Sequence, residues 1–290
     1  MKKFLSSLLA MATVTSAAAF TACGQSEKID ISQAKTLADL EGAKITAQAG
    51  TFHETARNQI KNVQGQLYET FDDMYVALTS GAVDGYIAEE PTALSVCYKN
   101  KDLDYIHLVN NDTGFTASDE DTAIAIGSKK NSGWSERINP VLAQISTQNR
   151  MTLMEQIVKA DAGETIESFA VSNTAPETTT GTMRVAMECE YAPFNWTQRT
   201  DANGAVPISS EGAENLYANG YDVQIAKYVA NALGLQLEIY AAEWDSLITG
   251  VQAGTFDLII AGMSPTAERR EVIDFSDIYY SSNLVVIYKK

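Results

Sequence analysis

A chain of 290 residues has room for two domains of ordinary size. With 45% hydrophobic and 20% charged residues, its composition is that of a folded globular protein and excludes a disordered one. The formal net charge of −16 argues against a nucleic-acid partner, because neutralising phosphates requires clustered Lys and Arg. The acidic balance does not identify a small ligand, since a buried site can differ in sign from the surface.

The first 23 residues have the pattern of a secretory signal. A basic start at residues 2–3 precedes an apolar and small-residue stretch over 4–20, and Cys23 follows. The stretch is too short and too rich in Ala, Ser and Thr for a stable membrane span. Its end resembles a bacterial lipobox, although Phe20 replaces the usual Leu, and this resemblance implies acylation of Cys23. Ordinary cleavage that releases a soluble protein is the alternative. Residues 24–34 are then predicted to form a tether.

Strands and helices are predicted to alternate along the rest of the chain. The patterns indicate, in chain order, a strand over 44–48, a helix over 54–63, a polar linker over 163–182, a strand over 183–187, a helix over 221–233 and a strand over 235–239. Alternating strands and helices give parallel sheets. Ligands of such sheets bind beyond the carboxyl ends of the strands.

A near-repeat is the clearest internal feature. Each copy has an Asp, a helical run, a Gly, a second Asp and a closing Ile-Ala at the same offsets, and the copies occupy residues 72–88 and 245–261. We predict that the first Asp caps a helix, that the Gly ends it, and that an apolar strand of a parallel sheet follows. Two such copies imply two similar lobes.

Charged side chains follow both repeated strands. Glu89 comes directly after the first strand, and Arg269 lies eight residues after the second. Thr266 is predicted to cap a helix whose third position is Arg269, close to free backbone amides. A free amino acid needs an Arg and helix amides for its carboxylate, and an acid for its ammonium. Either residue alone would be read as a surface charge, but their equivalent positions in two repeats favour a shared site.

Several segments resemble the polar amino-acid-binding proteins of ATP-driven importers, the family 3 extracellular solute-binding proteins. They are residues 35–42, 83–91, 184–196, 262–269 and 272–280. The resemblance implies a two-lobed α/β fold of the type II periplasmic-binding-protein kind, each lobe a mainly parallel sheet with flanking helices. The order of the segments is circularly permuted relative to the family. We therefore predict a lobe holding Glu89 over residues 35–121 and a lobe holding Arg269 over residues 122–290, the latter containing the linker.

The resemblance also implies roles for individual side chains. Arg269 would clamp the ligand carboxylate, Glu89 would bind its ammonium, and Glu188 would face a polar or cationic ligand side chain. Helping groups and aromatic walls would come from Gly262, Ser264, Thr51, Phe52, Tyr191 and Trp244. Plain core packing is the alternative for the two aromatic walls. No cofactor and no metal are implied.

The predicted function is that of an extracytoplasmic solute-binding lipoprotein. It would stand on the outer face of the bacterial cytoplasmic membrane or in the periplasm, and as a monomer hand a free L-amino acid to an ABC importer permease. The alternatives are a periplasmic dehydratase-type enzyme on the same fold, a sensory ectodomain, and an engineered permuted scaffold. The spacing of His53 and His107 suggests no catalytic site. Cys97 and Cys189 are expected to remain unpaired.

Overall fold

The computed structural model describes residues 29–108 and 112–290. The predicted signal, Cys23 and the first part of the tether lie outside the described residues. The strands are β1 (Ile45–Thr46), β2 (Gly85–Glu89), β3 (Leu103–His107), β4 (Ala123–Lys129), β5 (Thr182–Met187), β6 (Glu190–Tyr191), β7 (Asn195–Gln198), β8 (Val206–Pro207), β9 (Tyr217–Asn219), β10 (Gln236–Ala241), β11 (Leu258–Ile259), β12 (Ile273–Ser281) and β13 (Leu284–Lys289). The helices are α1 (Phe52–Arg57), α2 (Phe71–Ser80), α3 (Glu90–Lys99), α4 (Trp134–Leu142), α5 (Thr147–Asp161), α6 (Tyr221–Leu233), α7 (Trp244–Ala253) and α8 (Ala267–Val272).

Two mixed sheets form the centres of two lobes. One has the strand order β1-β2-β13-β3 and the other the order β10-β5-β11-β4-β12. In the first, only β13 runs against its neighbours, and in the second only β4 does. All other strands of each sheet share one direction, so the predicted α/β architecture is confirmed. A small antiparallel sheet, β6-β7-β9-β8, lies beside the second one.

The division between the lobes differs from the prediction in one strand. Residues 284–290 were assigned to the lobe of Arg269, but β13 lies between β2 and β3 in the sheet of the other lobe. The reason is its apolar run 284–287, which is fully buried there. Ile31, assigned to the tether, is also buried in that lobe. We name the two units the Glu89 lobe, residues 29–108 and 284–290, and the Arg269 lobe, residues 123–281.

The repeated segments form the predicted helix, glycine and strand, with a correction at the helix start. Both helices begin one residue before the repeated Asp, and their N-caps are Thr70 and Glu243. Thr70 accepts a hydrogen bond from the amide of Asp73, which leaves Asp72 in the first turn, where the helix dipole favours it. Gly81 and Gly254 end the helices in the left-handed conformation, as predicted.

Two early elements are shorter than predicted, whereas α6 has its predicted bounds. The helix predicted over 54–63 ends at Arg57, and the strand predicted over 44–48 is reduced to β1. The Arg57 guanidinium donates to the carbonyls of Ile45, Gln64 and Gly65. These bonds satisfy backbone groups that a longer helix or strand would otherwise pair.

The chain passes between the lobes twice, after β3 and at residues 282–283. The predicted linker contains no strand or helix until β5 begins at Thr182. In the part of the chain that the structure describes, no helix is both long and apolar enough to cross a membrane. Cys97 and Cys189 are both free thiols.

Candidate functional site

The guanidinium of Arg269 is positioned by the start of α8. Thr266 caps this helix, as predicted, by accepting a hydrogen bond from the amide of Arg269 at 3.4 Å. The guanidinium donates to the carbonyl of Ser264 at 3.0 Å and to that of Gly50 at 3.3 Å. It also lies over the ring of Trp244, 5.2 Å from the centroid. The side chain is therefore fixed at the boundary between the lobes, because Gly50 belongs to the Glu89 lobe.

Arg269 is a cation with only neutral partners. Within residues 29–108 and 112–290, no carboxylate forms an ion pair with it. Burial lowers the pKa of Arg269, because desolvation disfavours the charged form, and nearby Glu268 partly opposes this effect. An arginine remains charged at neutral pH all the same. A half-buried cation without an anionic partner is the arrangement expected of a binding site for an anionic group.

The carboxylate of Glu89 lies at the end of β2 and is 4% exposed. One oxygen lies 2.8 Å from Nε2 of His53, in the first turn of α1. The other accepts a hydrogen bond from the hydroxyl of Tyr191, in β6 of the Arg269 lobe. Phe71 packs against both partners: its ring is edge-to-face with His53 and stacked on Tyr191.

One cavity between the lobes brings these side chains together. Eight of the predicted ligand-binding residues line it, three from the Glu89 lobe and five from the Arg269 lobe, together with two further residues of the Glu89 lobe. The lining residues are Gln48, Thr51, Phe52, His53, Glu89, Tyr191, Trp244, Gly262, Ser264 and Arg269. Cationic and anionic side chains from opposite lobes therefore face the same small space.

Each charged end of the cavity is satisfied by a group from the opposite lobe. Arg269 donates to a carbonyl oxygen of Gly50, and Glu89 accepts from the hydroxyl of Tyr191. An α-amino acid offers the same two kinds of partner: its carboxylate accepts hydrogen bonds and its ammonium donates them. The cavity can thus exchange each neutral partner for a charged one, and charge-assisted hydrogen bonds are the stronger kind.

Position 262 requires a glycine because the ring of Tyr191 packs closely against its backbone. Gly262 has a φ of +62°, and a Cβ at this position would lie 2.7 Å from the ring of Tyr191. The Tyr191 ring is 3% exposed and packs between Phe71 and Phe194, with centroid distances of 4.1 and 4.9 Å. Tyr191 therefore has both of the roles considered for it. Its ring packs in the core, and its hydroxyl group lies at the site.

Glu188 lies outside the lining of this cavity, one layer behind Gln48. It is 9% exposed and accepts hydrogen bonds from the Gln48 amide at 3.0 and 3.2 Å. Burial raises the pKa of Glu188 to about 7; the Gln48 bond opposes this, and Glu190 and Glu243 add to it. Gln48 also donates to the carbonyl of Glu69. The pair joins the two lobes, since Gln48 follows β1 and Glu188 follows β5.

Sequence reasoning missed two lining residues, Gln48 and His53. Both flank the segment of Thr51, which was predicted to contribute amides to the site. The spacing of His53 matches no catalytic arrangement, yet its side chain contacts Glu89, which lies 36 residues away in the sequence. The position of His53 could have indicated its role, because it is a polar residue in the first turn of α1, and Thr51, the N-cap of that helix, is a predicted site residue.

A two-lobed α/β protein with a cation and a carboxylate facing one interlobe cavity has the form of a binding protein for small zwitterions. Residues 183–290 match the model of a known family, described as "Bacterial extracellular solute-binding proteins, family 3". The resemblance to this family is confirmed over these residues. They include Gly262, Ser264, Arg269, Glu188, Tyr191 and Trp244, and they exclude Glu89.

Curated relatives match parts of the chain. The "Arginine-binding extracellular protein ArtP" of Bacillus subtilis (strain 168) is 37% identical over 84 residues, which are 29% of this chain and 32% of that protein. The "L-cystine-binding protein TcyA" of the same organism is 32% identical over 111 residues, 38% of this chain and 35% of that protein. The chain therefore spans about a third of the length of these relatives. Among solved structures, an amino acid ABC transporter substrate-binding protein from Streptococcus pneumoniae bound to L-arginine is 33% identical, covering 34% of this chain and 37% of that one, with a TM-score of 0.29.

Proposed function

We propose that this protein binds a free L-amino acid between its two lobes and delivers it to the permease of an ABC importer. The ligand carboxylate would bind Arg269 and its ammonium would bind Glu89. The observation that supports this is an interlobe cavity to which the opposite lobes contribute these two charges. Thr51, Phe52, Gly262 and Ser264 would line the carboxylate end.

The ligand would favour closure of the lobes because it replaces two neutral hydrogen-bond partners in the cavity. The ligand carboxylate would displace the carbonyl of Gly50 from Arg269, and its ammonium would displace the hydroxyl of Tyr191 from Glu89. Both exchanges replace a neutral partner by a charged one, and a zwitterion spanning the cavity contacts both lobes. A ligand shifts a conformational equilibrium only by its differential affinity for the two states. These paired contacts supply that difference in favour of the closed state.

Screening by thermal shift tests the proposal directly. The purified protein is heated with each of the twenty L-amino acids, cystine or ornithine. We expect at least one of these compounds to raise the midpoint of unfolding, because a ligand that binds only the folded state stabilises it. If none of them does so at millimolar concentration, the proposed class of ligand is wrong.

A cationic side chain is the ligand feature that the surroundings favour. Glu188 is a buried carboxylate whose only hydrogen-bond donor among the described residues is Gln48. The outer part of the cleft is acidic as well: Glu54, Asp121, Asp245, Glu268 and Glu271 line it. Such a field attracts cations and raises their local concentration. We therefore infer that arginine- or lysine-like amino acids are preferred, with the side chain displacing the Gln48 amide from Glu188.

Replacement of Glu188 by Gln should reveal this preference through pH. Because burial raises the pKa of Glu188 to about 7, we expect this carboxyl group to lose its proton near neutral pH. A cationic side chain binds the deprotonated form, so the affinity for L-arginine should rise from pH 6 to pH 8 in the parent. In Glu188→Gln that rise should be absent, and the affinity at pH 8 should fall about tenfold or more. Isothermal titration calorimetry measures both.

Glu190→Gln is the matched control, since Glu190 is a neighbouring acid on the exposed side of the same segment. It should keep the rise in arginine affinity with pH, shifted to slightly lower pH because the charge of Glu190 helps to raise the pKa of Glu188. L-Glutamine, which has no cationic side chain, should bind equally to Glu188→Gln and to the parent at pH 8. An unchanged arginine profile in Glu188→Gln would show that the ligand side chain does not reach this carboxylate.

We further propose that the chain is a circular permutant with a working hinge. The Glu89 lobe precedes the Arg269 lobe, and β13 completes the sheet of the Glu89 lobe from the far end of the described chain. The linker 163–182 would then join the two original ends of the family order. Small-angle scattering with and without the identified amino acid should show a smaller radius of gyration in its presence. No compaction on binding would contradict a hinge of this kind.

We also propose that Cys23 is lipidated, that the exported protein is a monomer, and that it is not an enzyme. Mass spectrometry of the protein from membranes should find a diacylglyceryl modification on Cys23. The cavity does hold a histidine against a carboxylate, a pair that could transfer protons. Recovery of the bound amino acid unchanged after denaturation distinguishes binding from the dehydratase-type alternative, in which the recovered compound would be altered.

A further inference from the structure

The buried histidine beside Glu89 has a role that neither the fold nor the family resemblance assigns. His53 is 6% exposed, and its Nε2 lies 2.8 Å from the Glu89 carboxylate. Its other ring nitrogen, Nδ1, is buried and has no hydrogen-bond partner among the described residues. An orphaned buried nitrogen is unfavourable. For packing against Phe71 alone, a phenylalanine or leucine would serve without that penalty, so the contact with Glu89 is the reason for a histidine here.

The Glu89 side chain needs such a contact because it is long. A glutamate has three side-chain torsions, and its carboxylate must be held at one place to meet an ammonium group. In the structure the two oxygens have different partners: His53 lies at Oε1 on the same lobe, and Tyr191 donates to Oε2 from the opposite lobe. Only the Tyr191 contact is lost when the lobes separate. His53 therefore keeps the carboxylate in place in the open state as well.

We propose that His53 is a positioning residue for amino-acid capture, acting through Glu89. It fixes Oε1 so that Oε2 is presented to the ligand ammonium when the Tyr191 hydroxyl withdraws. This inference rests on the proposed function, since it assumes that Glu89 receives an ammonium group. His53 contacts the acid and not the ligand carboxylate or side chain, so its effect should be on the affinity for amino acids in general.

A double-mutant cycle with L-arginine as the probe tests the inference. His53→Phe removes the Nε2 contact and should weaken L-arginine binding at pH 8 by on the order of tenfold, the loss expected for a hydrogen bond to a charged group. In the Glu89→Gln background the same change should have little further effect, because a residue that acts through Glu89 has nothing left to position. His53→Gln, whose amide can donate near the place of Nε2, should restore most of the affinity.

His107→Gln is the control, because His107 is exposed on β3 and outside the cavity lining. Thermal unfolding of each variant monitors the fold. Equal losses from His53→Phe in the parent and in the Glu89→Gln background would overturn the inference and leave the proposed function intact. Parent-like affinity of His53→Phe would also overturn it. Failure of the parent to bind any amino acid would overturn the proposed function, and this inference with it.

Discussion

Arg269→Ala should lose amino-acid binding by about 2–4 kcal/mol, which is roughly 30- to 1,000-fold in Kd. The variant leaves a carboxylate without its counter-charge at the boundary between the lobes. It also removes the bond that Arg269 donates to Gly50 of the opposite lobe. Calorimetric titration with the amino acid found by screening measures the change. The loss should fall on every amino acid alike, because all of them carry the α-carboxylate.

Arg270→Ala provides the matched control for that experiment. Arg270 is the next residue on α8, donates to the carbonyl of Pro265 and lies 3.6 Å from Glu120, but does not line the cavity. It should bind the ligand like the parent. If Arg269→Ala binds the same amino acid within threefold of the parent, then the assignment of the carboxylate site is wrong.

Gly220→Ala should destabilise the fold by on the order of 3–5 kcal/mol, at the top of the range for single substitutions. Gly220 precedes α6 with a φ of +131°, and a Cβ there would lie 2.2 Å from the carbonyl oxygen of Phe194. The amides of Tyr221 and Asp222 donate to the carbonyls of Pro193 and Phe194. The start of α6 thus holds the loop that carries Tyr191 into the cavity. Displacing this loop should also weaken ligand binding in any protein that remains folded.

Gly212→Ala separates the clash from the backbone strain. Gly212 also has a positive φ, +81°, but a Cβ there would meet nothing within 4 Å. Its cost should be about 1 kcal/mol, the strain of a left-handed conformation alone. Chemical denaturation compares the two variants. Equal free energies of unfolding for both would show that Phe194 yields to the added methyl group, and that the contact does not fix the loop.

A second buried network explains why the loop region could not be read from sequence. Asp222 is fully buried and accepts hydrogen bonds from Asn195 at 2.9 Å and from the hydroxyl of Tyr279 at 2.7 Å. Burial raises its pKa to about 7, against the effect of these bonds. The partners are 27 and 57 residues away in sequence. Neither period nor spacing can indicate pairings of this kind, because they are created by the packing of three separate elements.

Local signals did determine much of the molecule. The spacing of apolar residues predicts the bounds of α6, and the glycines at 81 and 254 predict the ends of α2 and α7. These features can be predicted because they depend on residues that are close together in the sequence. The cap at Thr266 was likewise predictable, because a helix start depends on residues three positions apart. The repeat also allows two charges that are distant in sequence, Glu89 and Arg269, to be assigned to one site. Each follows the strand of one copy of the repeat, and the same fold places the ends of these strands at corresponding edges of the two sheets.

Tertiary structure alone decided the rest. β13 enters the sheet of the Glu89 lobe because two neighbouring strands, β2 and β3, offer it hydrogen bonds and burial on both sides. Glu188 lies behind Gln48, and His53 meets Glu89, because the lobes and helices bring these side chains together in space. Sequence periodicity indicates only the local secondary structure of a segment and the face that it buries. The hydrogen-bond or ion-pair partner of each charged side chain depends on contacts between segments that are far apart in the sequence.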